Sequence, residues 1–264
     1  MMKGFTWATT RELKRILHGL VVPFILVATW EFGTRIGFLP KSLVSTPADV
    51  VADLIRLSSD GTLVRHSLAS LMRLFVGFLI GSVLGVALGT IVGLSKAIER
   101  YVAPSIAFLS PVPVSAWIPL VIILFGIGDM AKSYLISIGT FFVVYASTFS
   151  GIRNADYKLI EMAKLLNKTR FTLAINILLP SALPMILHGL RGALALGWIL
   201  LIVAEVVAST TGLGWLIWDS RNFARADDMV AGMIVVGAFG AITDYVMSLI
   251  QARLLFWRKT FDGV

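Results

Sequence analysis

The sequence contains no cysteine, little charge and only three histidines. Without cysteine the chain has no disulfide, thiolate metal site or cysteine nucleophile. The histidines, His18, His66 and His188, lack the spacing of metal ligands, so no metal site is expected. Charged residues are 14% of the chain, against about 25% in soluble domains. With 57% hydrophobic residues, this composition indicates an integral membrane protein. Its net charge of +8 is assigned to basic residues flanking the spans rather than to nucleic-acid binding.

Six apolar stretches are predicted to cross the bilayer. They comprise residues 16–32, 67–94, 104–126, 131–150, 185–208 and 229–250. The first is followed by no small-residue cleavage site and is interpreted as a retained span. Six spans place both termini on one side, which carries 14 Lys and Arg residues against 7 on the other. Both termini are therefore expected in the cytoplasm. The predicted fold is an all-α membrane protein with six transmembrane helices, and residues 1–264 form a single transmembrane domain.

Glycine recurs every four residues along the second predicted span, at Gly77, Gly81, Gly85, Gly89 and Gly93. This spacing places the glycines on one helix face. Stripes of small residues let helices approach closely in lipid, so the pattern favours helix packing over a role in lining a pore.

Four of the nine prolines lie in the third predicted span, at Pro104, Pro111, Pro113 and Pro119. Proline removes a helix hydrogen bond and clashes with the preceding turn, so this segment is expected to be broken or partly unwound. Irregular backbone at membrane depth is tolerated where protein or a water-filled cavity satisfies it, as beside a transport path. A surface loop followed by a short span is the alternative.

Two polar segments precede the proline-rich one. Residues 95–103 are interpreted as a polar turn, and residues 45–57 as an interfacial amphipathic helix.

The longest polar interruption of the second half covers about residues 153–180. At helical spacing its apolar residues share one face: Leu159, Ile160, Ala163 and Leu166. Asn167 tolerates a left-handed bend and is expected to end this short helix. Thr169 is predicted to cap a second helix, residues 170–178, which Pro180 and Pro184 stop. A compact amphipathic helix held between two spans is suited to bind a groove of a partner protein.

This segment resembles the cytoplasmic coupling loop of ABC-importer permeases, the binding-protein-dependent transport inner-membrane component family. The family pattern is E-A-A, three residues, a glycine, nine residues and I-x-L-P. Here it reads Glu161-Met162-Ala163, then Asn167 in the glycine position, then Ile177-Leu178-Leu179-Pro180. Met162 and Asn167 depart from the pattern. The chain is similar to the nitrate/sulfonate/taurine-type branch over residues 39–257, for example in SPVPVSAWIPLVIILFGIGD and AEVVASTTGLGWLIWDS.

The resemblance implies a pore-forming subunit rather than an enzyme, with no catalytic residue and no cofactor of its own. Two such subunits, expected to form a homodimer, would lie in the bacterial inner membrane. Separate ABC ATPase subunits would dock on the coupling helices. They would bind the ATP and Mg, since this chain lacks a G-x-x-x-x-G-K-[ST] loop. A periplasmic binding protein would deliver the solute. The residues expected to couple to the ATPase are Glu161, Ala163, Lys164, Leu165, Leu166, Asn167 and Lys168.

Four residues are candidates for the translocation path, namely Pro113, Trp117, Trp198 and Glu205. Packing is the alternative for both tryptophans. A carboxylate within a span is functional by default. Glu205 would repel an anion, however, so we expect it to pair with Arg73 or Arg191. Asp244 is expected to pair with Arg73 or to cap a neighbouring helix, and a role in transport is the alternative.

The sequence leaves the solute open among small anions such as sulfonates, taurine, nitrate and bicarbonate. A secondary carrier or channel that works without ATP is the alternative function, but such a protein has no reason to carry a coupling loop. A membrane-embedded enzyme would need catalytic groups clustered at one depth, and no such constellation is evident.

Overall fold

The structure is a computed structural model that describes residues 21–36, 45–156, 158, 161–162, 165 and 169–257. These residues are mostly helical and include no β-strand. In chain order the helices are α1 (21–35), α2 (Pro47–Ser59), α3 (Thr62–Leu94), α4 (Lys96–Leu109), α5 (Ile118–Phe125), α6 (Asp129–Arg153), α7 (Leu179–Ala208), α8 (Leu213–Asn222) and α9 (Ala226–Leu254). A 3₁₀ turn, Val114–Trp117, precedes α5. A short helix, Arg170–Leu173, and a π-helical turn, Ala174–Leu178, lead into α7.

Four of the described helices are long and apolar enough to cross a membrane: α3, α6, α7 with its preceding π-helical turn, and α9. The bent pair Lys96–Leu109 and Val114–Phe125 provides a fifth candidate, with an angle of 91° between its halves. The predicted first span begins outside the described residues, and its second part falls in α1. The described part of the chain is therefore that of an all-helical, multi-pass membrane protein.

The described residues divide into two compact units, the first drawn from 1–63 and 217–233 and the second from 64–216 and 234–264. In the first unit, α2 confirms the helix predicted at residues 45–57. Thr46 caps it by accepting a hydrogen bond from the backbone N–H of Asp49 at 3.2 Å. The apolar face of α2 is buried through Val50 and Leu57, which pack with Ala231.

In the second unit, the glycine stripe of α3 packs directly on α6, as predicted. A Cβ placed on Gly85 would lie 2.9 Å from the Cβ of Val144, and one on Gly89 would lie 2.8 Å from the Cβ of Thr148. These distances are shorter than two carbon atoms tolerate, so the helices can approach this closely only because the stripe lacks side chains.

The proline-rich segment is broken, as predicted, but not at every proline. Residues 95–103 are not a turn: α4 begins at Lys96, capped by Ser95, whose hydroxyl accepts a hydrogen bond from the N–H of Ile98. Pro104 lies inside this helix, where its lost N–H costs one hydrogen bond. The break follows Leu109, where Pro111 and Pro113 interrupt the chain before the 3₁₀ turn.

The expectation that Pro180 and Pro184 end the helix after Thr169 is wrong. Thr169 does cap the helix that begins at Arg170: its hydroxyl accepts a hydrogen bond from the N–H of Thr172 at 3.2 Å. The helix then passes through the π-helical turn into α7. Pro180 directly follows the π-helical turn, whose hydrogen bond from Leu179 N–H to the carbonyl of Ala174 already departs from the α-helical pattern that proline interrupts.

Candidate coupling and translocation site

The predicted coupling loop follows α6, which ends in an ion pair between Arg153 and Glu99 of α4. Beyond it, Glu161, Met162 and Leu165 are helical and exposed. The side chain of Leu165 is 83% exposed and that of Met162 is 52% exposed. Residues three apart share a helix face, so these two side chains form one apolar surface. The other predicted coupling residues lie outside the described residues: Ala163, Lys164, Leu166, Asn167 and Lys168.

The four candidate path residues occupy separate places. Pro113 is exposed at the break, next to the 3₁₀ turn that carries Trp117. Trp117 borders a largely apolar cavity of about 330 Å³, and in the described part of the chain its indole N–H has no hydrogen-bond partner. Trp198 lies on α7 and faces α9, where its N–H donates to Thr243 at 3.0 Å. Glu205 is fully buried near the end of α7.

Glu205 belongs to an ion network that joins α3, α6 and α7 and is buried except at Asp129, whose side chain is 71% exposed. Nη1 of Arg73 lies 2.6 Å from Oε1 of Glu205, which confirms the pairing expected with one of two arginines. Arg73 is 3% exposed and also binds Asp129 at 2.8 Å. Asp129 in turn pairs with Lys132, a lysine that is itself buried, at 3.3 Å. Two cations and two anions thus balance each other, which a buried charge requires.

Neutral groups complete the coordination of this network. The hydroxyl of Ser70 donates to Glu205, the N–H of Gly214 donates to the same carboxylate at 2.8 Å, and the carbonyl of Thr211 accepts from Arg73 at 2.6 Å. Gly212 has a φ of +116°, and a side chain at this position would collide with the carboxylate of Glu205. The loop after α7 is therefore shaped around the ion pair.

Most of these partners were not predicted from the sequence. His66, Ser70 and Arg73 follow one another at helical spacing and continue the line of glycines along α3. Nδ1 of His66 accepts a hydrogen bond from the N–H of Gly212 at 2.9 Å. This line of polar residues, continuing the glycine stripe of α3, is the sequence feature that could have predicted these partners. No local pattern marked Lys132 as buried.

A second ion pair links α7 to α9. Arg191 contacts Asp244 through two parallel hydrogen bonds of 2.5 Å and 2.6 Å. The expected pairing of Asp244 with Arg73 is therefore wrong, because Arg73 pairs with Glu205 and Asp129 instead. Trp198 lies about two helical turns after Arg191 on α7. It stacks on Phe239 of α9, with ring centroids 6.2 Å apart.

Comparison with known proteins identifies the family. Residues 68–256 match the family described as binding-protein-dependent transport system inner membrane component, and the chain belongs to it. The chain is 37% identical over 247 residues to the putative aliphatic sulfonates transport permease protein SsuC of Bacillus subtilis (strain 168), covering 94% of this chain and 90% of the relative. It is 30% identical over 256 residues to the taurine transport system permease protein TauC of Escherichia coli (strain K12), covering 95% and 92%.

A solved structure supports the fold. The inward-facing MetNI methionine ABC transporter matches with a TM-score of 0.65 at 18% identity, covering 73% of this chain and 96% of that chain. The predicted family is therefore confirmed: the chain is an ABC-transporter permease component, and its relatives are transport permeases of the sulfonate and taurine type. In this family ATP binding belongs to separate ATPase subunits.

Proposed function

We propose that this chain forms the translocation pore of an ATP-driven importer for a small organic anion of the sulfonate class. A periplasmic binding protein delivers the solute, and two copies of the chain form the pore in the bacterial inner membrane. Both termini and the segment 153–180 face the cytoplasm, with six spans in each copy. The sulfonate and taurine permeases among the relatives support the solute class.

The observation that carries this proposal is the exposed apolar surface between α6 and α7. Met162 and Leu165 lie in the predicted coupling helix, and neither is covered by the described part of the chain. Exposed leucine next to basic residues in a segment held between two apolar helices is suited to bind a hydrophobic groove of a soluble partner. In the proposed importer that partner is the ATPase, which docks on residues 161–168.

A tagged purification from the native host in mild detergent tests the proposal. We expect an ATPase with a Walker-type phosphate loop to co-purify in equal amount. Leu165→Glu should remove the ATPase while leaving the permease folded, because Leu165 is 83% exposed and contributes little to packing. Leu165→Met is the matched control and should retain the ATPase, since it keeps an apolar side chain of similar volume.

The opposite result is equally clear. If the chain purifies alone and moves ethanesulfonate across liposomes without ATP, it works as a secondary carrier. If Leu165→Glu retains the ATPase, the docking surface is elsewhere.

A further inference from the structure

The Arg191–Asp244 pair lies deep within its helices yet is poorly covered. Arg191 is twelve residues from the start of α7, about 18 Å at the α-helical rise, and Asp244 is ten residues from the end of α9. The side chains of the two residues are 40% and 49% exposed. Charged groups at this depth do not face lipid, because hydrocarbon offers no partner for their remaining hydrogen bonds. The pair therefore faces water or another protein surface.

A cavity of about 210 Å³ opens next to this pair, between α7 and α9. Arg191, Asp244 and Thr243 form its polar part, while Leu194, Trp198 and Val236 form its apolar wall. At about 30 Å³ for each molecule of liquid water, it has room for about seven waters or one small solute. Only 6% of the most apolar part of α9 is buried within this chain.

The guanidinium of Arg191 keeps donors available for a ligand. Asp244 uses Nε and Nη2, so that three of the five N–H groups remain, and within the described residues Nη1 has no hydrogen-bond partner. The two parallel bonds also fix the plane of the guanidinium. Because Asp244 cancels the net charge, an anion would bind weakly enough to leave again, as a transport path requires.

We propose that Arg191, oriented by Asp244, is the anion-recognising residue of the translocation path, and that the adjoining cavity takes a small organic sulfonate. The sulfonate oxygens accept from the free N–H groups of Arg191, and the organic part lies against Trp198. This assignment rests on the proposed importer function. Under the alternative, the ion pair only staples α7 to α9.

The absence of cysteine allows a direct test, because an introduced cysteine is the only thiol of the chain. Ala195 lies one helical turn from Arg191 and borders the same cavity. In Ala195→Cys, the thiolate attacks the sulfenyl sulfur of a methanethiosulfonate, forming a mixed disulfide and releasing methanesulfinate. Two reagents of the same reactive group are compared: the 2-sulfonatoethyl reagent, which carries an ethanesulfonate anion, and the 2-(trimethylammonio)ethyl reagent, which is a cation. Rates are measured on the permease–ATPase complex, without nucleotide and with a non-hydrolysable ATP analogue.

We expect Arg191→Gln to lower the ratio of the anionic to the cationic rate. One unit charge at contact distance in water changes each rate about fivefold, in opposite directions for the two reagents, so the ratio should fall about twenty-five-fold. Asp244→Asn should raise the ratio, because it leaves the cation uncompensated, and Arg191→Lys should preserve it. Ile242→Cys, which is exposed on α9 but does not border the cavity, is the control and should show no dependence on Arg191.

Other results would overturn the assignment. If neither Arg191→Gln nor Asp244→Asn changes the ratio, the ion pair serves only to hold α7 and α9 together. A cysteine at position 195 that reacts with neither reagent in either nucleotide state would show that the cavity is closed. If Arg191→Gln does not assemble, Asp244→Asn alone carries the test, because it keeps Arg191 and should still raise the ratio. ATP-driven uptake of ethanesulfonate by the unmodified complex tests the importer function separately, so failure of either idea is recognisable.

Discussion

Removing Arg73 is the sharpest test of the buried ion network. In Arg73→Met, Glu205 remains fully buried and retains only neutral donors, namely Ser70 and the N–H of Gly214. Asp129 and the carbonyl of Thr211 also lose a donor. Removing one partner of a buried pair typically costs about 3–5 kcal/mol, because the other charge stays in a low-dielectric site.

This cost should appear as a fall in melting temperature. At roughly 2–4 °C for each kcal/mol in a chain of this size, we expect a drop of about 10 °C, measured by thermal loss of the monodisperse peak in detergent. The double variant Arg73→Met/Glu205→Gln removes both charges and preserves the shape of the carboxylate. It should recover a substantial part of the loss, since the buried charge is gone and only hydrogen bonds are weakened.

The same substitution at Arg191 is the control. That side chain is 40% exposed, so Arg191→Met should lower the melting temperature much less than Arg73→Met. If Arg73→Met melts like the unmodified protein, or if the double variant is less stable than Arg73→Met alone, the ion network does not contribute to stability as proposed.

Two further predictions concern packing and the broken segment. Gly85→Ala should destabilise the protein by about 1–3 kcal/mol in thermal melts, because the added methyl meets Val144, whereas Gly237→Ala meets no atom within 4 Å and should be neutral or stabilising. Replacing Pro111 and Pro113 with alanine should reduce solute uptake by the reconstituted complex while leaving the assembled complex intact on size exclusion, because the break then favours a continuous helix; unchanged uptake would mean that the segment is an ordinary surface loop.

The features predicted correctly from the sequence are those that depend on residue spacing within a single segment. The four-residue glycine spacing identified the face of α3 that packs on α6, and the clustered prolines identified the break before α5. The apolar face of α2 followed from helical spacing in the same way. Each of these features depends on residues close together in the chain.

The ion-pair partners depend on helix rotation and register, which no local pattern specifies. Arg73 and Arg191 were both expected partners for Glu205, whereas for Asp244 only Arg73 was expected, and the arrangement of α3, α7 and α9 decides both pairings. The burial of Lys132 was missed for a related reason: its ion-pair partner Asp129 lies one turn away on α6, but that spacing does not show which side of α6 the other helices cover. The sequence pattern also expected Pro184 to end a helix, whereas α7 continues through it.

The π-helical turn Ala174–Leu178 has a consequence for how movement could pass along the chain. A π turn holds one residue more than the α turn it replaces. Returning that residue to α-helical form would rotate the preceding segment, Arg170–Leu173, by about 100° and displace it by about 1.5 Å relative to α7. The chain thus holds one extra residue within the helix that joins α7 to the proposed docking segment, residues 161–168. We expect this spare residue to let the docking segment turn while α7 keeps its register against α6.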